Sequence, residues 1–357
     1  MIESNAQPAA LHSGPSEGSF VGRFDHFRRE IDALLDTHIP SGRPVALLHF
    51  PYDGNVGNHM MWVATTDYLR DRNLPIAYVS HANNLEIRDL ARVIGDGPIL
   101  FLGGVTISRL WPRHARAKRQ IAAAFPNNPL ISLPATVLFA DDADREEART
   151  IFGTHENVTV MTRDPISGAQ ARDAFPPSVR VVTVPDMALR LAPQPIVHEP
   201  VHDVIWLARD DLEGVEGVPP SAVHVFDWPH DLRTHMPKSY ALLRFSGVLS
   251  RLRSSAAGPV LARAVNPPMA SLYRSASQAV LRYGNEILDR GKVLVTDRMH
   301  PHVLGALRGQ HAVLLPDKFG KNRAVYDHYT REQPTVHWAD KPAQALEIAR
   351  SLVARRA

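Results

Sequence analysis

The chain has 357 residues, of which 44% are apolar and 22% charged, with a formal net charge of +3 and no cysteine. This balance fits a packed globular protein and excludes disulfides, thiolate metal sites and cysteine nucleophiles, while so small a net charge gives no reason to expect nucleic acid as a partner. No apolar run reaches the roughly 18 residues of a membrane span, and residues 1–20 lack the apolar stretch of a signal peptide, so a cytoplasmic protein is expected.

Single cores stop growing near ~250–300 residues, so two domains are expected. Residues 1–22 read as a mobile tail, followed by an amphipathic helix over Phe24–Ile39. From Pro44 short apolar runs alternate with helical stretches. Strands are predicted at Val45–Phe50, Ile76–Ser80, Ile99–Leu102, Leu130–Leu133, Val158–Met161 and Val181–Val184, with helices at Asn58–Arg72, Leu85–Ile94, Arg109–Phe125 and Asp142–Phe152 between them. Such alternation implies βαβ units and a mostly parallel, Rossmann-like sheet. Pro193, Pro195 and Pro200 mark a crossover, dividing the chain into an N-terminal domain (23–195) and a C-terminal one (196–357). The second half repeats the pattern, with strands at Val204–Leu207, Val223–Phe226, Val293–Val295 and Ala312–Leu315 and helices at Ser271–Asp289, His302–Leu307 and Ala343–Ala354. Residues 232–285 interrupt it as a basic insertion with eight Lys or Arg and no Asp or Glu. That segment could be a solvated face, or could contact an anionic membrane surface or an acidic substrate. The expected fold is α/β, two Rossmann-like domains facing a central cleft, similar to the GT-B glycosyltransferases.

Candidate chemistry gathers where strands end, because open α/β sheets bind ligands outside the carboxyl ends of their strands. Gly54, Asn55 and Gly57 follow the first strand and open a helix, where glycines permit positive φ and free N–H groups favour an anion. Gly103 and Gly104 end the third strand in the same way. Arg163 follows Val158–Met161, and its planar fork suits a carboxylate or phosphate, with Asp164 placed to orient it. The densest run is Thr296-Asp297-Arg298-Met299-His300, which brings an acid, a fixed cation and a titrating histidine to one strand-to-helix turn. Lys321 and Asn322 offer a second anion-binding turn. No motif has metal-ligand spacing, so a metal-free reaction is expected.

Taken together, GNVGN (54–58), LWPRH (110–114), FPNNPLISLP (125–134), RDPIS (163–167), VPDMAL (184–189), TDRMHPHVLGALRG (296–309) and GKNRAVY (320–326) resemble the polysaccharide pyruvyltransferase family, from about Pro44 to Tyr329. The resemblance implies transfer of the pyruvyl group of phosphoenolpyruvate onto a sugar as a ketal. It also implies that Arg163, Arg298 and His300 lie at the donor. On this reading His300 and Asp297 are the catalytic pair. Arg163, Arg298, Met299, Gly54, Asn55, Gly57, Gly103, Gly104, Lys321 and Asn322 bind the donor. No cofactor is needed beyond phosphoenolpyruvate as co-substrate. The partner is a sugar acceptor, for which a lipid-linked oligosaccharide is one candidate, in capsule, exopolysaccharide or cell-wall glycan assembly. Asn58, Ala135-Thr136 and Lys318 depart from the family pattern. Two other readings stay open from the sequence: a nucleotide-sugar glycosyltransferase, and a noncatalytic protein that binds anionic glycans.

Overall fold

The computed structural model describes residues 17–103, 108, 110–209, 224–228, 235–253 and 258–355. The strands form two sheets in which every pairing is parallel. The first contains β1 (Val45–Leu48), β2 (Ile76–Ser80), β3 (Ile99–Phe101), β4 (Leu130–Ala135), β5 (Val158–Thr162) and β6 (Arg180–Thr183), in the order β2-β1-β3-β4-β5-β6. Helices α1 (Glu17–His38), α2 (Val56–Asp71), α3 (Ile87–Ile94), α4 (Pro112–Ala124), α5 (Asp142–Gly153) and α6 (Pro165–Ala174) accompany them. The second sheet contains β7 (His202–Leu207), β8 (His224–Phe226), β9 (Gly291–Thr296), β10 (His311–Leu314) and β11 (Val336–Trp338), in the order β11-β10-β9-β7-β8. The first helix starts earlier than Phe24, at Glu17, and residues 1–16 of the expected tail lie outside the described residues.

The central strands are continuous apolar runs because helices cover both faces of each sheet. Val45-Ala46-Leu47-Leu48 of β1 is buried throughout, as is Val158–Thr162 of β5. The largest core cluster joins α1, α2 and the inner face of the first sheet to Ile205 and Leu294 of the second. In each sheet the strand order reverses once, between β1 and β3 and between β7 and β9. A ligand crevice opens at such a reversal.

The acid-free segment folds back onto the first sheet. It forms α7 (Pro237–Arg253) and α8 (Gly258–Asp289); residues 231–234 and 254–257, among them Arg233, lie outside the described residues. Helix α8 packs against α2, α3 and β2, and α7 packs on α8. The predicted helix began at Ser271, after Pro267 and Pro268, yet α8 runs through both prolines. Each costs about 3 kcal/mol in a helix interior. Both rings face solvent, while Val265, Asn266 and Met269 beside them are buried, and that packing carries the helix through. Further helical elements are a 3-10 turn at Met187–Arg190 between β6 and β7, α9 (Met299–Leu307) after β9, α10 (Lys321–Val325) after β10, a π-helical turn at Tyr326–Thr330, and α11 (Pro342–Ala354) at the end.

Two of the segment's cations hold it in place. Arg274 pairs with Asp67 of α2 at 2.6 Å. Arg253 is 0% exposed, and its guanidinium donates to the carbonyls of Val79 (2.9 Å) and Asn84 (3.2 Å), to Asn266 Oδ1 (3.0 Å) and to the Tyr78 hydroxyl (3.2 Å). Asp89 lies 3.7 Å from its Nε. Removing one partner of a buried charged network leaves the others unpaired, so Arg253→Ala should cost about 3–5 kcal/mol in urea unfolding. An unfolding free energy within about 1 kcal/mol of wild type would show that the guanidinium does not anchor the segment.

Candidate active site

Loops from both sheets line one cavity of about 460 Å³. His49 and Phe50 come from the end of β1, Leu102 and Gly103 from the end of β3, and Arg163 follows β5. From the second sheet come Arg209 after β7 and Arg298, Met299 and His300 after β9, with Lys321 and Asn322 from the start of α10. Both strand-order reversals therefore open on the same space. Among the described residues, its lining includes five cations, Arg113, Arg163, Arg209, Arg298 and Lys321, and one carboxylate, Asp53. So large an excess favours an anionic ligand.

The centre of the site is a buried chain of charges. Arg163 donates from Nη1 to Asp186 Oδ2 (2.9 Å) and from Nε to Thr136 Oγ1 (2.7 Å). The other carboxylate oxygen, Oδ1 of Asp186, lies 3.5 Å from Nε2 of His300. Burial would raise the Asp186 pKa, but His300 and Arg163 outweigh it and hold the carboxyl well below the usual range. Burial is the largest influence on His300 and lowers its pKa, while Asp186 pulls the other way. Asp164 does not orient Arg163. Its carboxylate accepts from the backbone N–H and hydroxyl of Ser167, both at 2.7 Å, and so caps α6.

The Thr296–His300 turn is built differently from the sequence expectation. Thr296 donates its hydroxyl to Leu207 O (2.7 Å) and accepts from the N–H of Arg298 (3.0 Å), tying β9 to β7. Arg298 pairs by Nε and Nη2 with both oxygens of Asp227. Asp297, expected beside His300, does not line the cavity; its Oδ1 accepts from the N–H of Arg209 at 2.9 Å, and burial pushes its pKa up to about 6. Consecutive residues at a strand end point to different sides, and here they find different partners. Asn322 donates to the carbonyls of Asp297 (2.7 Å) and Leu315 (2.9 Å), clamping the two turns of the second sheet together.

The glycines act through close approach rather than left-handed backbone. Neither Gly54, Gly57 nor Gly103 has positive φ. Gly57 lies against the Nδ1 edge of the His300 ring, where a Cβ would come within 2.3 Å of Nδ1. A Cβ on Gly103 would meet Pro134 O at 2.0 Å. Asn55 caps α2 by accepting from the Gly57 N–H at 3.1 Å, and it lines the cavity, whereas Gly54 does not. Gly104 lies outside the described residues. His59 fixes the loop from below. Its Nε2 faces the carbonyl of Asp53 (2.8 Å) and must donate, so in the neutral ring Nδ1 accepts from Ser277 of α8 (2.9 Å).

Several residues escaped the sequence reading. Asp186 lay in the VPDMAL segment without a role, and Asp227, 71 positions from Arg298, carried no local signal. His49 is the most unusual. It has φ of 67°, is 4% exposed, and among the described residues neither ring nitrogen has a hydrogen-bond partner. Its ring packs edge-on to His114 at 4.6 Å between centroids. Burial, with the nearby His114 and Lys118, holds its pKa well below the usual value. Strained backbone and unsatisfied buried nitrogens are the kind of cost that persists at functional sites. Among the described residues, no three His, Asp or Glu side chains come together as a metal site.

Comparisons with known proteins give the family and the fold. The family model for polysaccharide pyruvyl transferase matches residues 55–267, which include the Arg163 turn and stop short of the Arg298 turn. Pyruvyl transferase 1 of Schizosaccharomyces pombe is 29% identical over 293 residues, covering 78% of this chain and 68% of that protein. "Putative pyruvyl transferase EpsO" of Bacillus subtilis is 24% identical over 312 residues, covering 87% of this chain and 92% of that protein. In fold, the chain is similar to the crystal structure of an uncharacterised protein from Klebsiella pneumoniae, with a TM-score of 0.53 and 17% identity over 88% of this chain and 98% of that one. With more than half its length matched by the family model, and two relatives that bear the activity's name, the chain belongs to the polysaccharide pyruvyl transferase family.

Proposed function

We propose that the protein transfers the pyruvyl group of phosphoenolpyruvate onto two hydroxyls of a sugar as a ketal, releasing phosphate. The observation that carries this reading is the cationic cavity lined by His300 together with Arg163 from the first sheet and Arg298 from the second. Phosphoenolpyruvate carries a carboxylate and a phosphate on one short skeleton, and two guanidinium forks can hold both while fixing its orientation. Asp186 and Asp227 keep those forks in position. We also propose that the sheets face each other in the GT-B manner, dividing the chain near residue 195, and that the enzyme works in the cytoplasm.

The chemistry needs one proton delivered to C3, which turns the methylene into a methyl and leaves C2 open to attack. The first sugar hydroxyl adds at C2 and gives its proton to His300; the second displaces phosphate from C2, and its proton leaves on the phosphate. His300 as imidazolium gives the proton to C3 and, once neutral, takes one from an attacking hydroxyl. Asp186 stays ionised beside Nε2 and stabilises the imidazolium that exists before the first of these transfers and again after the second. Nδ1, on the ring edge beside Gly57, is then the nitrogen that exchanges protons.

Arg163→Ala and Arg298→Ala should each weaken phosphoenolpyruvate binding by about 2–5 kcal/mol, and lysine at either position should restore little because an ammonium cannot make the paired contact. Unchanged donor affinity in calorimetry would remove that arginine from the donor site.

His300→Ala should lower kcat by about 10²–10⁴-fold while the donor still binds. In heavy water the wild-type enzyme should place a solvent deuteron in the product methyl, and a methyl free of deuterium would rule out protonation at C3. Asp186→Asn removes the anion that favours imidazolium, so the alkaline limb of the kcat profile should move to lower pH; a limb that stays in place would separate Asp186 from the proton transfer.

The unsatisfied nitrogens of His49 should serve substrate rather than stability. His49→Phe keeps the ring packing and removes two buried polar atoms, so it should unfold no more easily than wild type, or be stabilised by about 1–2 kcal/mol, while turnover falls at least about tenfold. Full turnover in a stable variant would leave His49 without a part in the reaction.

A further inference from the structure

Helix α7 is 17 residues long, so it spans about 25 Å, and it is covered on one side only. Ser239, Leu243, Ser246 and Arg253 recur at helical spacing and are buried, toward α8 and the first sheet. The opposite stripe is open. It carries Phe245 (55% exposed), Val248 (48%) and Leu252 (46%), interleaved with the exposed cations Lys238, Arg244 and Arg251. No acid occurs anywhere in residues 232–285 to neutralise them. A solvated face has no use for a row of large apolar side chains, and an interface with a neutral protein has no use for uncompensated arginines. An anionic lipid surface satisfies both, because apolar side chains enter the headgroup boundary while the cations meet the phosphates.

Helix α7 also reaches the cavity wall, where its Arg253 donates to the carbonyl of Asn84 at 3.2 Å, next to Asn83 of the lining. Tyr52 lines the cavity and is 42% exposed, and its hydroxyl feels both Tyr240 and Arg244 of α7. Burial is the larger influence on that hydroxyl and raises its pKa, against which Arg244 acts. We infer that the exposed face of α7, through Phe245, Val248, Leu252, Arg244 and Arg251, docks on an anionic membrane and sets the cavity mouth beside it, where a lipid-linked sugar is presented as acceptor. The acceptor half of this inference rests on the pyruvyl-transfer reading; the docking half does not.

The test sediments the full chain with vesicles of phosphatidylcholine alone, or with about one third phosphatidylglycerol. The chain should bind the anionic vesicles, leave the neutral ones, and be released as salt rises. Arg244→Gln with Arg251→Gln should weaken binding roughly 25-fold, at about fivefold per arginine, and lysine at both positions should retain it. Phe245→Ser with Leu252→Ser should weaken it about tenfold or more. Arg149→Gln, on the exposed side of α5, should change nothing. Equal binding to both vesicle types, wild-type binding by the α7 variants, or a dimer in light scattering that Phe245→Ser dissociates would each overturn the assignment. For the acceptor half, the α7 variants should turn over a soluble sugar at the wild-type rate and lose rate only on a lipid-linked acceptor held in anionic vesicles. Equal rates on both acceptors would overturn that half. Sedimentation needs no turnover, so a failure of the pyruvyl-transfer reading would be seen separately from a failure of docking.

Discussion

The carboxylate of Asp186 is the interaction on which the site depends. It is fully buried, and alone it would be protonated or expelled, because taking an ion out of water costs several kcal/mol. Arg163 on one side and His300 on the other keep it ionised. In return it fixes a guanidinium from the first sheet and an imidazole from the second at one distance from each other. Each partner is held again from behind, Arg163 by Thr136 and the His300 turn by Thr296 and Asn322. The two halves of the chain thus share one electrostatic centre as well as a cavity wall.

Much of this was legible in the sequence because parallel strands buried on both faces announce themselves as unbroken apolar runs. Val45–Leu48, Ile99–Phe101 and Val293–Val295 all fell where such runs predicted, and the turns that follow them carry the site. The RD and TDRMH turns stood out for the same reason, as charge set abruptly against apolar sequence. Direction was not legible. Asp297 and Arg298 are neighbours in the chain, yet one turns toward the Arg209 backbone and the other into the cavity. Nor could local pattern pair Arg298 with Asp227 or Arg163 with Asp186, since those contacts close only when distant strands align. The glycines of GNVGN suggested a left-handed turn, but the requirement at Gly57 comes from a ring 243 positions away in the sequence, which no spacing rule contains.

The acid-free segment illustrates a different limit. Composition marked residues 232–285 as one basic block, but the fold divides its cations by depth. Arg253 sits among carbonyls and a tyrosine ring under α7, and Arg274 meets a carboxylate of α2, whereas Arg244 and Arg251 face outward. A count of charges cannot separate a cation that anchors a helix from one that greets a partner. Burial does, and burial depends on how α7 and α8 lie across the first sheet.

The first turn of α2 has one more consequence. Gly57 there touches the ring of His300, and Val56 beside it fills the space above Gly284 of α8, where a Cβ would come within 2.5 Å of the valine. Interiors packed this closely resist sliding far more than rocking. A helix start seated between two such neighbours acts as a pin: His300 cannot shift along α2 without collision, so the imidazole keeps its aim whatever enters the cavity beside it.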